Sequence, residues 1–222
     1  MDDHRHSRHN AEATQPAAPE RPPNFGFSVT RVLQDGDSMF IKAVNESDGG
    51  GASWLTMSLI RADDRGLMSV RRQISARYVQ KDCLCSSLAA CSLPNGAHSE
   101  TEANKRRVQD FIDAVTEADG LDRLDEYIDR SVFVSHTPGG CMDPDRLDDF
   151  AGRRSPRSGL RYHGVDDLVG EGSFVAVFSA YDQDGQHFRT CDLFRLTNGR
   201  IVEHWDVVEP VAAHTVAHND EA

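Results

Sequence analysis

The sequence predicts an α+β fold in which helices cover one face of an antiparallel sheet. Apolar residues recur at helical spacing at Val108, Phe111, Ile112 and Val115. From residue 160 onward the pattern changes to strands with alternating side chains, separated by Glu-Gly, Asp-Gly and Asn-Gly turns. Helices followed by consecutive hairpins are typical of the α+β class.

The helices are predicted in the order in which their start and stop signals occur. The first lies within residues 99–120, with a Ser/Thr start, early glutamates and a closing glycine. A second short helix is expected at 121–129 and a third at 143–151, where Asp-Pro supplies the start. Between them, the segment "SVFVSH" at 131–136 is expected to be a strand. The sheet itself is predicted as a meander of four strands between 160 and 211.

The chain is predicted to contain two folded regions joined by a linker. The expected divisions are a disordered tail at 1–23, a region of strands at 24–80, a linker at 81–100, a helix-and-sheet domain at 101–211 and a tail at 212–222. The first region is a faint, degenerate copy of the strands in the second, and Leu59 and Arg61 fall on Leu193 and Arg195. Because no helical half precedes it, this copy is expected to depend on the second region or on another chain for its core.

Charge and hydrophobicity exclude several classes of partner. The chain of 222 residues carries 24 Lys and Arg against 36 Asp and Glu, a formal net charge of −12. Binding to nucleic acid or to an anionic membrane surface needs basic clusters that this composition does not offer. Apolar runs stay far below the roughly 20 residues of a membrane span, and the start of the chain has no apolar signal segment. A cytoplasmic protein is therefore expected.

No metal site and no cofactor are predicted. The candidate ligands are histidines near the start of the chain and a cysteine-rich segment: His4, His6, His9, Cys83, Cys85, Cys91 and His98. The spacing C-x-C-x5-C lacks the paired C-x2-C of structural zinc sites. Reduced thiols in a connecting segment are the expected state of these cysteines.

The last predicted strand, "GRIVEHWDVVEP" at 199–210, carries charged groups among apolar ones. Alternation along a strand places His204 and Asp206 on one face and Glu203 and Trp205 on the other. Asp192 in "TCDLF" is a second acid in an apolar strand. Such groups are costly to bury without partners, so they indicate either a wet or dimer-facing surface or the wall of a cavity.

Residues 101–211 resemble the SnoaL-like, polyketide-cyclase-like branch of the nuclear-transport-factor-2 (NTF2-like) superfamily. The resemblance is carried by "YIDRSVFVSHTPG", "DLFRLTNGRIVEHWDVVEPV" and the preceding order of helix, helix and strand. It implies a cone-shaped α+β barrel around an apolar pocket. Enzymes of this kind are typically independent of cofactors and use side-chain acids and bases to cyclise, isomerise or dehydrate small organic molecules.

The resemblance also implies a set of site residues. Asp206 would be the principal acid/base, since burial raises a carboxyl pKa toward neutrality. Three further residues would orient the substrate or polarise its carbonyl, and five would shape the pocket. The first three are His136, Asp192 and His204, and the other five are Trp205, His163, Tyr162, Phe178 and Phe194. For the histidines and aromatic residues, structural roles in turns, surfaces or the core remain alternatives.

The expected function is cofactor-independent acid/base catalysis on a small hydrophobic, oxygenated biosynthetic intermediate, with polyketide-type molecules among the candidates. A homodimer, or an internal pseudo-dimer made by the two regions, is the expected assembly. One alternative is a non-catalytic protein that binds a ligand or dimerises. A second is an epoxide-hydrolase-type reaction, which needs an Asp–Arg–Asp set, although Arg195 is expected on the strand face opposite Asp192.

Overall fold

The computed structural model describes residues 25–47, 53–78, 93–117, 120–137, 140–142 and 159–211. Several predicted features lie outside these residues: both terminal tails, the third helix at 143–151 and the cluster of Cys83, Cys85 and Cys91. The predicted domain boundaries therefore stay predictions.

The first sheet is an antiparallel meander. Its strands are β1 (Phe25–Asp35), β2 (Ser38–Ser47), β3 (Ser53–Ala62) and β4 (Met68–Tyr78), paired in the order β1-β2-β3-β4. Its described residues include no helix, as predicted for a copy that keeps only the strands.

The second sheet has six strands, two more than the predicted meander. They are β5 (Val134–Thr137), β6 (Gly140–Met142), β7 (Arg161–Glu171), β8 (Phe174–Gln183), β9 (Gln186–Thr197) and β10 (Arg200–Pro210). The spatial order is β6-β5-β10-β9-β8-β7, with β5 parallel to β10 and the other pairs antiparallel. Because β6 and β7 are not paired with each other, the described sheet is open and does not close into the expected barrel.

Two tight turns of the meander have the backbone conformation that their sequences predict. Asp184 and Gly185, between β8 and β9, have φ values of 52° and 76°. Asn198 and Gly199, between β9 and β10, have φ values of 52° and 73°. Two consecutive residues with positive φ are the requirement of the hairpin turn that Asp-Gly and Asn-Gly favour.

Helix α1 (Thr101–Thr116) covers one face of the second sheet, here called the inner face. Its buried side chains repeat at helical spacing and pack with apolar residues of β8, β9 and β10. The second predicted helix is shorter than expected, a 3-10 turn at Gly120–Arg123 followed by α2 (Leu124–Tyr127). In the described part of the chain, no helix combines the length and hydrophobicity needed to cross a membrane.

The first sheet covers the opposite, outer face of the second sheet. A single apolar cluster joins residues of both sheets, with Phe40 of β2 edge-on to Phe178 of β8 at a centroid distance of 6.3 Å. Lys42 is 3% exposed, and its Nζ lies 4.6 Å from the centre of the Trp205 ring in β10. The meander of the second sheet is thus packed on both faces, by α1 on the inner side and by the first sheet on the outer side.

Candidate active site

A cavity of about 180 Å³ lies between α1 and the inner face of the second sheet. Its described lining is Ile112, Val115, Thr116, Leu160, Tyr162, Tyr181, Gln183, Thr190, Asp192, Asp206 and Val208. Aliphatic and aromatic groups surround a small number of polar side chains, which is the usual make-up of a small-molecule site.

The two acids in this lining are direct neighbours. Asp192 of β9 and Asp206 of β10 are cross-strand partners, 3% and 8% exposed. One carboxylate oxygen each of Asp192 and Asp206 and one ring nitrogen of His204 all lie within 4.8 Å of one another. The expectation that the last strand carries Asp206 on the cavity side agrees with this position, while its catalytic role remains a prediction.

An irregularity in β10 sets which residues face the cavity. The pairing register shifts between Ile201 and Glu203, so that Ile201 and His204 both lie on the inner face although they are three residues apart. Beyond the shift, alternation is regular and places Asp206 on the same face as His204.

Asp192 is fixed by two hydrogen bonds from buried side chains. The Thr190 hydroxyl donates to Asp192 Oδ2 at 3.2 Å, and His204 Nε2 lies 2.7 Å from Asp192 Oδ1. On the other side of the imidazole, His204 Nδ1 lies 2.9 Å from Ser135 Oγ of β5. Because an ionised carboxylate only accepts, a neutral His204 carries its proton on Nε2, and Ser135 then donates to Nδ1.

The hydrogen-bonded series Ser135–His204–Asp192 does not present a nucleophile to the cavity. Ser135 and His204 are each 0% exposed, so a substrate in the cavity cannot reach the hydroxyl. The arrangement instead holds Asp192 in one orientation beside Asp206. His204 thus contacts the lining residue Asp192 without being part of the described lining itself, and its orienting role remains a prediction.

Sequence reasoning missed four polar residues of the site. Tyr181, Gln183 and Thr190 line the cavity, and Ser135 supports His204. Alternation along β8 and β9 would have selected the first three once Asp192 was assigned to the inner face. The position of Ser135 next to His204 depends on the parallel pairing of β5 with β10, which the local sequence does not reveal.

Two predicted site residues lie on the wrong face of the sheet. His136 pairs with Trp205 across β5 and β10, and their rings stack at a centroid distance of 5.0 Å on the outer face. His136 Nε2 approaches Glu203 Oε1 at 3.4 Å, and Trp205 belongs to the apolar cluster between the two sheets. Neither residue lines the cavity, because β5 presents Ser135, and not His136, to the inner side.

The other predicted pocket residues divide between cavity, core and surface. Tyr162 lines the cavity. Phe194 is buried under α1, in contact with Phe111 and the His204 ring, whereas Phe178 faces the first sheet. His163 is exposed and pairs with Asp182 at 3.0 Å. Of the five predicted pocket residues, only Tyr162 is part of the described lining.

Glu203 forms an ion pair with Arg195 on the outer face. Burial alone would raise the pKa of the Glu203 carboxyl, but hydrogen bonds from His136 and Arg195 outweigh it and lower the pKa below its ordinary value of 4.5. Arg195 binds Glu203 through Nε. Arg195 is thus engaged on the face opposite Asp192, and no arginine is found among the described residues that line the cavity.

Comparisons with known proteins give one family and several distant likenesses. The SnoaL-like domain family matches residues 108–204. No significant match is found among proteins of curated function.

Three solved structures represent the similar folds. An NTF2-like protein of unknown function from Cytophaga hutchinsonii is 17% identical, with 48% of this chain and 89% of that chain covered and a TM-score of 0.41. IdmH, a candidate polyketide cyclase from Streptomyces antibioticus, is 20% identical over 48% and 91% of the two chains, with a TM-score of 0.40. An LEH-like epoxide hydrolase from M. tuberculosis is 20% identical over 50% and 85%, with a TM-score of 0.41.

The match begins inside α1 and ends at His204, so it includes part of the helix, most of the meander and Asp192, but not Asp206. The resemblance expected for residues 101–211 is confirmed over residues 108–204, which match the SnoaL-like domain family.

Proposed function

We propose that the protein is a cofactor-independent acid/base enzyme that moves a proton on a small, mostly apolar molecule carrying a carbonyl group. The observation that supports this most directly is the pair Asp192 and Asp206, which sit side by side in an otherwise largely apolar cavity. Given the match to the SnoaL-like domain family, the candidate reactions are cyclisation, isomerisation and dehydration. All three begin with removal of a proton next to a carbonyl.

The two carboxyl groups have different surroundings and therefore different roles. Asp192 accepts hydrogen bonds from Thr190 and His204, which favour its ionised form. A negative charge on Asp192 makes it easier for its neighbour Asp206 to take up a proton. A general base works best when its pKa is close to the working pH. Asp206 is thus the acid/base, and Asp192 is the group that tunes and orients it.

The reaction proceeds by proton removal and return. The ionised Asp206 takes a proton from the carbon next to the carbonyl, and the electron pair of that C–H bond moves into an enolate. The phenols of Tyr162 and Tyr181 belong to the cavity wall and supply donors for the enolate oxygen. Protonated Asp206 then returns the proton to another carbon, or the enolate attacks a second carbonyl to close a ring.

The size of the cavity limits the substrate. A volume of about 180 Å³ is close to that of a cavity of about 150 Å³ that accepts benzene. A single six-membered ring with one or two oxygen atoms fits these dimensions. The described cavity is too small for a polycyclic substrate to be enclosed whole, so we expect only the reacting ring of a larger molecule to enter.

The proposal is tested with cyclohex-3-en-1-one, a single-ring ketone whose double bond moves into conjugation after proton removal. Wild-type protein should produce the conjugated ketone, seen by ultraviolet absorption, and should exchange the protons next to the carbonyl for deuterium, seen by NMR. Asp206→Asn should lower both rates by about 10²- to 10⁴-fold, the range of general acid–base contributions. Asp113→Asn, on the exposed side of α1, is the matched control and should retain both rates.

The rival interpretation is a protein that binds a ligand without changing it. Ligand-observed NMR that detects the ketone bound to the wild type, with proton exchange no faster than in buffer, would favour that rival. An epoxide-hydrolase reaction is supported less well, because the basic side chain grouped with the two aspartates is His204 and the described cavity lining contains no arginine.

A further inference from the structure

A second cluster of metal-ligand side chains lies on the outer side of the second sheet, away from the cavity lining. It consists of His163 on β7, Asp182 on β8 and His187 on β9. Tyr181 and Gln183 line the cavity on either side of Asp182 in the sequence, so Asp182 lies on the opposite face of β8. The cluster is therefore behind the cavity wall and separate from the acids of the proposed active site.

The three side chains converge on one point. Asp182 Oδ1 lies 2.7 Å from His187 Nδ1, and Asp182 Oδ2 lies 3.0 Å from His163 Nε2. The two imidazole rings are 5.5 Å apart, and the donor atoms of the three residues all lie within 4.8 Å of one another. Three neighbouring strands thus each contribute one ligand to the same small region.

Alternation along β7 explains how this strand contributes to the cluster, because adjacent side chains lie on opposite faces of a strand. A register shift of β7 against β8 lies between Tyr162 and Val165, next to Gly164 with φ of 110°. Tyr162 joins the cavity lining while His163 reaches Asp182 on the other face.

We propose that His163, Asp182 and His187 form a binding site for a zinc-type divalent transition metal. Two imidazoles and one carboxylate are a ligand set that Zn²⁺ accepts, with water completing a tetrahedral arrangement. Each side chain keeps more than a third of its surface exposed, at 36%, 37% and 38%, so solvent can supply the fourth ligand.

A metal at this position would join β7, β8 and β9 directly behind residues of the cavity. His163 follows Tyr162 in the sequence, and Asp182 lies between Tyr181 and Gln183. Tyr162, Tyr181 and Gln183 line the cavity from the other face of the sheet. Binding would therefore brace one wall of the cavity without contact to the substrate. This inference does not depend on the proposed catalytic function, since it concerns different side chains on the other side of the sheet.

The test is a zinc titration of the full chain followed by NMR of the histidine ring nitrogens. Without metal, neutral rings donate to Asp182, which places the ring proton on Nε2 of His163 and Nδ1 of His187. Zinc takes those two nitrogens, so the proton of His163 should move to Nδ1 and that of His187 to Nε2. Titration with Mg²⁺, which prefers oxygen ligands, should leave both rings unchanged.

Variants separate this site from the other histidines and cysteines of the chain. His163→Gln and His187→Gln should weaken zinc binding at this site by about tenfold or more, since even outer-shell partners of a metal contribute that much. His98→Gln, a change at a histidine that is 80% exposed, is the control and should leave the binding intact. Wild-type protein should gain thermal stability with zinc, and the two site variants should lose that gain.

Two results would overturn the inference. One is a titration in which the nitrogens of His163 and His187 keep their original tautomers while zinc is in excess. The other is an equal response to Mg²⁺, which would show that the cluster attracts cations by charge alone and does not coordinate a metal.

Discussion

Asp192 of β9 and Asp206 of β10 are direct cross-strand partners, and both side chains line the same cavity. The rest of that cavity is built mainly from aliphatic and aromatic groups of α1 and β7 to β10. Asp192 accepts hydrogen bonds from Thr190 and His204, and hydrogen bonds to a carboxylate favour its ionised form. These contacts are the basis of the role proposed for Asp192.

His204 should matter for turnover more than for substrate affinity. Its imidazole joins Asp192 to Ser135 and is fully buried, so His204→Gln leaves Asp192 with a less well-fixed orientation. We expect kcat on the cyclohexenone probe to fall by roughly 10- to 100-fold, by analogy with residues that orient the ligands of a metal ion without touching the metal. KM should change little, because His204 does not line the cavity.

Ser135→Ala is the graded comparison for that prediction. It removes only the hydrogen bond to His204 Nδ1, so its effect on kcat should be smaller than that of His204→Gln. An effect confined to KM in both variants would contradict the positioning role of the histidine. Circular dichroism and thermal unfolding check that each variant is folded.

The stability of the chain should depend on contact between the two sheets. Phe40 of β2 is 0% exposed and packs edge-on against Phe178 of the second sheet. Phe40→Ala should lower the free energy of unfolding by about 3–5 kcal/mol, the usual cost of removing a buried aromatic ring. Ile41→Ala, on the half-buried opposite face of the same strand, should cost clearly less. Urea titration measures both, and equal effects would contradict a core shared by the sheets.

The Glu203 contact should make stability depend on acidity. The folded-state pKa of Glu203 is lowered from 4.5 because the hydrogen bonds from His136 and Arg195 outweigh the opposite effect of its burial. A lowered carboxyl pKa gives stability that is fully present above pH 4.5 and is lost as the pH falls through the folded-state value.

Glu203→Gln provides the measurement for that dependence. The free energy of unfolding of the wild type should exceed that of Glu203→Gln most above pH 4.5. The difference should shrink as the pH falls further, because protonated Glu203 then resembles glutamine. A difference that stays constant with pH would show that the carboxylate charge contributes nothing to stability.

The arrangement of the two sheets bears on the expected assembly. The first sheet occupies the outer face of the second sheet, the face that includes Phe178 and Trp205. A second copy of the chain could not pair through that part of the surface without displacing the first sheet. An internal pseudo-dimer therefore remains our proposal for the assembly, and light scattering of the full chain would test it by giving the mass in solution.

Local patterns in the sequence were sufficient for the α+β class and for the meander. Helical spacing from Val108 to Val115 predicted the face that α1 buries, and Asp-Gly and Asn-Gly predicted the hairpin turns with positive φ. These features depend on residues close together in the chain, so their physical causes are visible in short segments. The same alternation placed His204 and Asp206 on one face of the last strand.

Only the tertiary structure decided which faces of separate strands meet. The parallel pairing of β5 with β10 brings Ser135 to His204 and leaves His136 against Trp205 on the outer face. Alternation determines which residues share a face of a strand, but it does not determine which face points inward. For a strand of four residues, the inward face is known only once its partner and register are known. The sequence determined that acids occur within apolar strands, and the packing of α1 and two sheets determined that two of them share one cavity.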